Sequence, residues 1–214
     1  MLLELERNDI VKYCKLMLKR ELTKGTGGNI SIYNRKLGLV AISPSAVEYE
    51  EMAPEDVAVI TLDGEQVEGS NLPSSEKDMH LTCFQKRKDV NAVVHTHSCY
   101  ATALACLHEE LPPVHYLIGF AGGTVRCIPY YLFGGKELAN AAVEGMESRN
   151  AVLLGNHGLL TVGTSINHAF NVAEETEFIA KIYCITKGIG TPQILDSDDL
   201  EQVQEKFQTY GKAL

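Results

Sequence analysis

The chain has 214 residues, enough for one domain with a sizeable core; 45% are hydrophobic and 22% charged, as in a typical globular protein. The formal net charge of −9 argues against nucleic acid as a partner, since surfaces that bind nucleic acid are normally basic. No apolar stretch approaches the roughly 20 residues of a membrane span, and no signal peptide is visible. We therefore expect a cytoplasmic protein whose six scattered cysteines are mostly buried free thiols.

The first half of the chain predicts one helix, three strands and a second helix. Ile10, Cys14 and Met17 recur with helical spacing, and a glycine-rich turn follows that helix. Ser74 or Ser75 is the expected N-cap of the second helix. The predicted elements are a helix at 6–22, strands at 30–33, 37–42 and 56–62, and a helix from about 76 to 87.

The second half alternates strands and helices. Ser197 is the expected N-cap of its last helix. The predicted elements are strands at 92–94, 126–130, 151–154 and 159–162 and helices at 100–107, 135–146, 166–187 and 197–210. Strands interleaved with helices, hairpins included, predict an α/β fold whose central sheet is mixed and largely antiparallel, in a single domain over residues 1–214.

Two histidines follow the short apolar strand at 92–94. Residues i and i+2 of a strand project to the same face, so His95 and His97 can direct two imidazoles to one point, and neutral imidazole is a common metal ligand. The alternative is a pair of ordinary polar residues at a strand end. His157, at a turn between two apolar strands, is the candidate third ligand, because a catalytic zinc needs about three protein ligands.

Glu76 is the candidate acid. A glutamate at a helix start is usually a favourable partner of the helix dipole, but beside a metal it can serve as ligand, general base, or both. His80 lies four residues later on the same helical face. We expect His80 to be a neighbour of the site rather than a ligand.

Three turns can bind an anion such as phosphate, at residues 25–29, 43–46 and 74–75. Glycines expose backbone N–H groups, and hydroxyls at a helix start add further donors. Such donors would let an acidic protein bind a phosphate without a lysine-rich patch. Each turn is also explained as an ordinary turn or cap, and the glycine turn lacks the Gly-Lys-Ser/Thr of a nucleotide P-loop.

In their order, five motifs closely resemble those of the class II sugar-phosphate aldolases, the family of L-fuculose-1-phosphate aldolase and L-ribulose-5-phosphate 4-epimerase. They are Gly-Thr-Gly-Gly-Asn-Ile-Ser at 25–31, Ser-Pro-Ser at 43–45, Leu-Pro-Ser-Ser-Glu at 72–76, Val-Val-His-Thr-His at 93–97 and Asn-His-Gly-Leu at 156–159. The resemblance covers nearly the whole chain and implies the three-layer α/β/α fold of that family.

Three features favour the fuculose-phosphate branch. Residues 113–116 with 121–123 resemble the segment of the catalytic tyrosine, 205–211 resemble the C-terminal tail, and Glu76 stands where the epimerases have aspartate. One departure is Ala46, where the family usually has glycine.

The resemblance implies a role for each site residue. His95, His97 and His157 would hold Zn²⁺, and Glu76 would be a fourth ligand without substrate and a proton shuttle with it. Tyr116 of a neighbouring subunit would exchange a proton with the C4 oxygen, in a homotetramer with sites between subunits. The phosphate would be held by Gly28, Asn29, Ser45, Ala46, Ser74 and Ser75. The aldehyde end would be shaped by Phe133, Phe207 and Tyr210, with core packing as the alternative for Phe133.

The activity that the resemblance implies is reversible retro-aldol cleavage of L-fuculose 1-phosphate, or of a close ketose 1-phosphate, to dihydroxyacetone phosphate and L-lactaldehyde. An L-ribulose-5-phosphate 4-epimerase and a methylthioribulose-1-phosphate dehydratase share the scaffold and stay as alternatives. A non-enzymatic scaffold would have lost ligands, whereas all three histidines and Glu76 are present.

Overall fold

The computed structural model describes residues 1–209, which build one eight-stranded sheet covered by helices. The strands are β1 (Asn29–Asn34), β2 (Leu39–Ile42), β3 (Ala58–Thr61), β4 (Gln66–Glu68), β5 (Ala92–Thr96), β6 (Cys127–Ile128), β7 (Ala151–Leu154) and β8 (Gly158–Gly163). Their order across the sheet is β4-β3-β2-β1-β5-β8-β7-β6. Only β6 and β7 pair in parallel, so the predicted mixed, largely antiparallel sheet is confirmed.

Helices cover both faces of the sheet. They are α1 (Glu4–Lys19), α2 (Lys77–Lys86), α3 (Cys99–Leu107), α4 (Lys136–Met146), α5 (Ile166–Ile189) and α6 (Ser197–Thr209), with short 3₁₀ helices at Pro54–Asp56 and Tyr116–Ala121. Apolar residues of α2 and α4 pack on one face, and those of α1, α3 and α5 on the other. Among the described residues, none of these helices combines the length and the apolar character needed to cross a membrane.

Alternation along the strands decides which side chains meet α2. In β5, Val93 packs into the core under α2 and α4, while Val94 packs under α1 and α5. His95 follows Val93 by two positions and therefore projects towards α2. In β1, Ile30 packs towards α1, so Asn29 and its neighbour two residues on project towards α2 as well.

Several local predictions are corrected. Strand β4 carries no apolar alternation and was not predicted. Glu76, and not a serine, precedes α2, while the Ser74 hydroxyl accepts the Glu76 N–H at 3.2 Å. Helix α6 begins at Ser197 itself, and the Asp196 carboxylate accepts two N–H groups of its first turn. Cys99 and Cys106 are exposed because α3 presents them to solvent, whereas Cys14 is buried as predicted.

Glu177 of α5 fixes the start of α3. Its two carboxylate oxygens accept the backbone N–H groups of Tyr100 and Ala101, each at 2.9 Å. These N–H groups have no partner within their own helix, and the negative charge suits the helix N-terminus. Because α3 begins two residues after His97, the contact also fixes the chain direction just beyond the two histidines.

We expect Glu177→Ala to lower the free energy of unfolding by about 1–2 kcal/mol, since two N–H groups at the helix start lose their acceptor. Urea denaturation measures it. The control is Glu174→Ala, because Glu174 only pairs with the exposed Arg20 at 3.2 Å, and such surface pairs contribute less than about 1 kcal/mol. Equal losses in the two variants would contradict a capping role for Glu177.

Candidate metal centre and the adjoining pocket

Four side chains predicted from the sequence converge at the ends of β5 and β8 and the start of α2. They are Glu76, His95, His97 and His157, whose potential ligand atoms all lie within 4.8 Å of one another. Antiparallel pairing sets Thr96 opposite Leu159, which brings the turn before β8 against the end of β5. His95 and Glu76 are buried, whereas His97 is exposed, so the cluster is open to solvent on one side.

The spacing of the ligand atoms suits a tetrahedral cation. His95 Nε2 lies 3.0 Å from His97 Nε2 and 3.2 Å from His157 Nε2. The Glu76 carboxylate lies 3.4 Å from His95 Nε2 and 3.3 Å from His157 Nε2. Four ligands about 2.0–2.1 Å from a tetrahedral zinc stand roughly 3.3 Å apart. These separations are therefore close to those of a tetrahedral site, and all four potential ligand atoms lie within 4.8 Å of one another.

The protonation of the imidazoles favours metal binding. His95 Nδ1 lies 2.9 Å from the Leu159 carbonyl oxygen, to which it donates, and this leaves the Nε2 lone pair directed into the cluster. Burial lowers the pKa of His95, His97 and His157, and the neighbouring imidazoles lower those of His95 and His97 further. Neutral imidazoles whose Nε2 atoms face one another can bind a cation at their centre through the Nε2 lone pairs.

Glu76 provides an independent test of whether the four side chains fit a metal ion. Its Oε2 accepts a hydrogen bond from Asn29 Nδ2 at 2.9 Å, while its buried Oε1 has no hydrogen-bond partner. A buried carboxylate oxygen without a partner is costly, and a cation within the cluster would satisfy it. This unpartnered oxygen and the three imidazoles fit a divalent metal with nitrogen and oxygen ligands.

A pocket of about 230 Å³ adjoins the cluster. Glu76 and His97 form the wall that it shares with the cluster. The three turns that the sequence singles out form the rest. All six predicted phosphate residues line it: Gly28, Asn29, Ser45, Ala46, Ser74 and Ser75.

Hydrogen bonds tie the three turns of this pocket together. Ser45 N–H donates to the Leu72 carbonyl at 2.9 Å, and Ser74 N–H donates to the Ser43 carbonyl at 3.1 Å. The Ser43 hydroxyl in turn accepts the N–H of Ile30 at 3.1 Å. The pocket is thus held together by contacts between segments that lie far apart in the sequence.

Backbone conformation leaves donors facing this pocket. Gly28 has φ +71°, and a Cβ there would lie 2.6 Å from the His95 carbonyl oxygen, so only glycine fits. Ala46 has φ +57°, a left-handed conformation that costs alanine about 1 kcal/mol and that glycine adopts without this cost. Within residues 1–209, the N–H groups of Ala46 and Ser75 have no hydrogen-bond partner and can donate to an anion.

Two of the predicted aromatic residues, Tyr116 and Phe207, lie apart from the cluster of their own chain. Tyr116 is 52% exposed and lines, with Phe207, a second cavity of about 420 Å³. Phe207 stacks on Phe120 with ring centroids 4.5 Å apart. Phe133 is 61% exposed, so the core-packing alternative for it is wrong. Tyr210 lies outside the described residues.

Two residues near the site escaped the sequence analysis. The buried Tyr49 donates its hydroxyl hydrogen to the Gly28 carbonyl at 2.5 Å, and burial raises its pKa, so it stays a phenol. Glu177 fixes the chain just beyond His97, as described above. Neither has a local sequence signal, because each acts through a contact between distant segments.

The comparisons with known proteins assign the family. Residues 8–184 match the model of the Class II Aldolase and Adducin N-terminal domain. The chain belongs to this family and is a class II aldolase of the fuculose-phosphate aldolase type. Class II aldolases are metal-dependent, in keeping with a cluster of one glutamate and three histidines that could bind a metal ion.

Three relatives cover almost the whole chain. The chain is 58% identical to the 5-deoxy-D-ribulose 1-phosphate aldolase of Bacillus thuringiensis, over 99% of this chain and 100% of the relative. It is 36% identical to the L-fuculose phosphate aldolase of Escherichia coli, over 97% and 98% of the two chains. A solved structure of an L-fuculose 1-phosphate aldolase superimposes with a TM-score of 0.93 at 46% identity, over 95% and 96% of the two chains.

The lowered pKa values predict how pH affects the metal-free protein. Below pH 6.5 the unfolded chain binds protons that the fully buried His80 and His95 exclude in the folded state, and the pKa values of the more exposed His97 and His157 are lowered in the same direction. Stability should therefore fall as pH drops below 6.5, by up to about 1.4 kcal/mol per pH unit for each of His80 and His95. Urea denaturation with a chelator between pH 8 and 5 measures this.

The same curves contain their own control, since both states hold neutral histidines above pH 7.5 and these residues then contribute no slope. Equal free energies of unfolding at pH 7.5 and pH 5 would contradict the proposed protonation.

Proposed function

We propose that this aldolase cleaves the C3–C4 bond of a ketose 1-phosphate that ends in a methyl group, with 5-deoxyribulose 1-phosphate as its principal substrate. The products are dihydroxyacetone phosphate and acetaldehyde. The observation that carries the proposal is the shared wall of the ligand cluster and the phosphate pocket, formed by Glu76 and His97. A relative 58% identical, whose name gives 5-deoxy-D-ribulose 1-phosphate as its substrate, supports this choice of sugar.

Zn²⁺ is the proposed cofactor, held by His95, His97, His157 and, without substrate, Glu76. Three neutral imidazoles and one carboxylate are a donor set that suits zinc, and manganese or cobalt are the alternatives. When bound, the metal supplies Lewis-acid stabilisation of the negative charge that develops as the C3–C4 bond breaks.

The pocket of about 230 Å³ is the proposed phosphate site. Its donors are the hydroxyls of Ser45, Ser74 and Ser75 and the backbone N–H groups of Ala46 and Ser75. These donors attract an anion locally although the chain as a whole carries a net charge of −9. Anchoring the phosphate there directs C2 and C3 of the sugar towards the histidines.

Glu76 is the proposed proton carrier at C3. Cleavage leaves the electron pair of the C3–C4 bond on C3, and Glu76 in its protonated form donates a proton there to complete dihydroxyacetone phosphate. The proton that leaves the C4 hydroxyl balances the proton that C3 receives. Its Oε2 is held by Asn29, whereas Oε1 has no partner and faces the cluster. Oε2 thus orients the Glu76 side chain, and Oε1 is the proposed site of proton transfer.

Tyr116 is the proposed proton acceptor for the C4 hydroxyl, supplied by a second copy of the chain. The Tyr116 ring lines the second cavity, of about 420 Å³, whereas Glu76 of the same chain lines the pocket beside the cluster. Half of its surface is exposed, as a residue that completes a neighbour's site would be before assembly. We therefore propose a homotetramer with active sites between subunits.

L-Fuculose 1-phosphate is the second candidate substrate, giving L-lactaldehyde in place of acetaldehyde. Relatives at 36% and 46% identity carry this activity in their names. The two sugars differ by one hydroxylated carbon at the aldehyde end. Phe133 and Phe207, with Tyr210 beyond the described residues, are the proposed side chains at that end.

We expect purified enzyme to release dihydroxyacetone phosphate from both sugars, with a higher kcat/KM for 5-deoxyribulose 1-phosphate by about tenfold or more. A coupled assay of dihydroxyacetone phosphate measures it, and a chelator should abolish the activity until Zn²⁺ is added back. A reversed ratio would make L-fuculose 1-phosphate the principal substrate. No product from either sugar, or activity indifferent to the chelator, would contradict the metal-aldolase proposal.

We expect Tyr116→Phe to lower kcat by about 10²–10⁴-fold while zinc content stays unchanged, because the variant lacks only the proton-accepting hydroxyl. Tyr33→Phe is the matched control, since Tyr33 packs on Phe84 at the far end of β1. Steady-state kinetics measures kcat in both variants, and metal analysis measures their zinc content. A kcat equal to that of the wild type would remove Tyr116 from the mechanism.

A further inference from the structure

A buried histidine stands directly behind the cluster without being part of it. His80 lies on α2, one turn beyond Glu76, and has no exposed surface. Its Nε2 lies 2.5 Å from Asn29 Oδ1, and its Nδ1 lies 2.7 Å from the Ser31 hydroxyl. Both partners project from β1 towards α2, so one imidazole bridges two layers of the fold. Its helical spacing from Glu76 predicts His80 beside the site but does not indicate its hydrogen-bond partners.

The hydrogen bonds of this group are mutually consistent in one arrangement. Burial lowers the pKa of His80 to about 3, so its ring is neutral and carries a single N–H. Glu76 Oε2 accepts from Asn29 Nδ2, which turns Asn29 Oδ1 towards His80. An amide oxygen only accepts, so the proton lies on His80 Nε2, and Nδ1 accepts from Ser31.

The orientation of the Asn29 amide determines its hydrogen bonds with both Glu76 and His80. A reversed amide would place an oxygen 2.9 Å from the Glu76 carboxylate, where two acceptors would repel each other. In the present tautomer it would also place an NH₂ group against the N–H of His80. Asn29 lines the pocket assigned to phosphate as well, so the same amide contacts both halves of the site.

We infer that His80 is a positioning residue that fixes the amide orientation of Asn29 and, through it, the direction in which Glu76 presents its free oxygen to a divalent cation. The inference rests on the proposed function, because it assigns Glu76 to that cation. His80 itself touches neither metal nor substrate. Its effect passes through one donated hydrogen bond, in the way that groups behind metal ligands commonly set metal affinity.

The matched variants are His80→Asn and His80→Gln. The longer glutamine places its NH₂ near the position of Nε2 and can still donate to Asn29, whereas the shorter asparagine reaches only the position of Nδ1, beside Ser31. His168→Gln on α5 is the control for a histidine outside the site, which contacts only Thr164 and its own helix start. All three changes keep a polar side chain.

The measurement is the Zn²⁺ dissociation constant of each protein, determined by competition with a chromophoric chelator. We expect His80→Asn to bind Zn²⁺ about 10–100-fold more weakly, and His80→Gln and His168→Gln to bind like the wild type. Equal affinities for His80→Asn and the wild type would overturn the inference. Equal losses in the asparagine and glutamine variants would also overturn it, because the donated hydrogen bond would then not be the cause.

A double-mutant cycle tests whether the effect passes through Asn29. In an Asn29→Ala background, His80→Asn should cause no further loss of Zn²⁺ affinity, whereas independent losses that multiply would overturn the route. Thermal unfolding of the metal-free variants separates these effects from a loss of fold.

The outcome for the wild type separates the two proposals. A wild-type protein that binds no divalent metal would overturn the proposed function and the inference together. A wild-type protein that binds Zn²⁺ and cleaves the sugar phosphate, beside a His80→Asn variant with unchanged affinity, would overturn the inference alone.

Discussion

The antiparallel pairing of β5 with β8 is the constraint on which the rest of the site depends. It sets Thr96 opposite Leu159 and so places the His-x-His sequence beside the turn that carries His157. The same pairing brings the Leu159 carbonyl within 2.9 Å of His95 Nδ1, which directs the Nε2 lone pair inwards. A shift of one residue in this register would turn His95 of β5 towards α1, away from Glu76. The pairing of β5 with β8 thus determines where the candidate metal ligands lie.

The proposed substrate is an anion, whereas the chain carries a formal net charge of −9. The solution is local: backbone N–H groups and serine hydroxyls line the pocket, and the nearest carboxylate, Glu76, faces the cation site. Neutral imidazoles add no charge of their own, so a divalent cation would dominate the field at this point. Hydrogen bonds from Asn29 and from Tyr49, the latter to Gly28, keep the donors in place.

Much of this could be predicted from the sequence, because the information is periodic or local. Strand alternation indicates that His95 and His97 share a face, and the glycine and serine turns indicate their anion-binding donors. The hydrogen bond of Tyr49, the cap formed by Glu177 and the exposure of Phe133 could not be predicted, since each depends on how distant segments pack. The preferred sugar could not be predicted either, because the residues proposed at its aldehyde end include Phe133 and Phe207, aromatic side chains whose arrangement depends on how distant segments pack.

X-ray absorption spectroscopy at the zinc edge of the metal-loaded protein tests the central claim most directly. Three histidines and a carboxylate predict a first shell of nitrogen and oxygen at about 2.0–2.1 Å, with the outer-shell scattering of three imidazole rings. Loss of one imidazole contribution in His157→Ala should follow. A shell containing sulfur at about 2.3 Å, or one without imidazole scattering, would contradict the account.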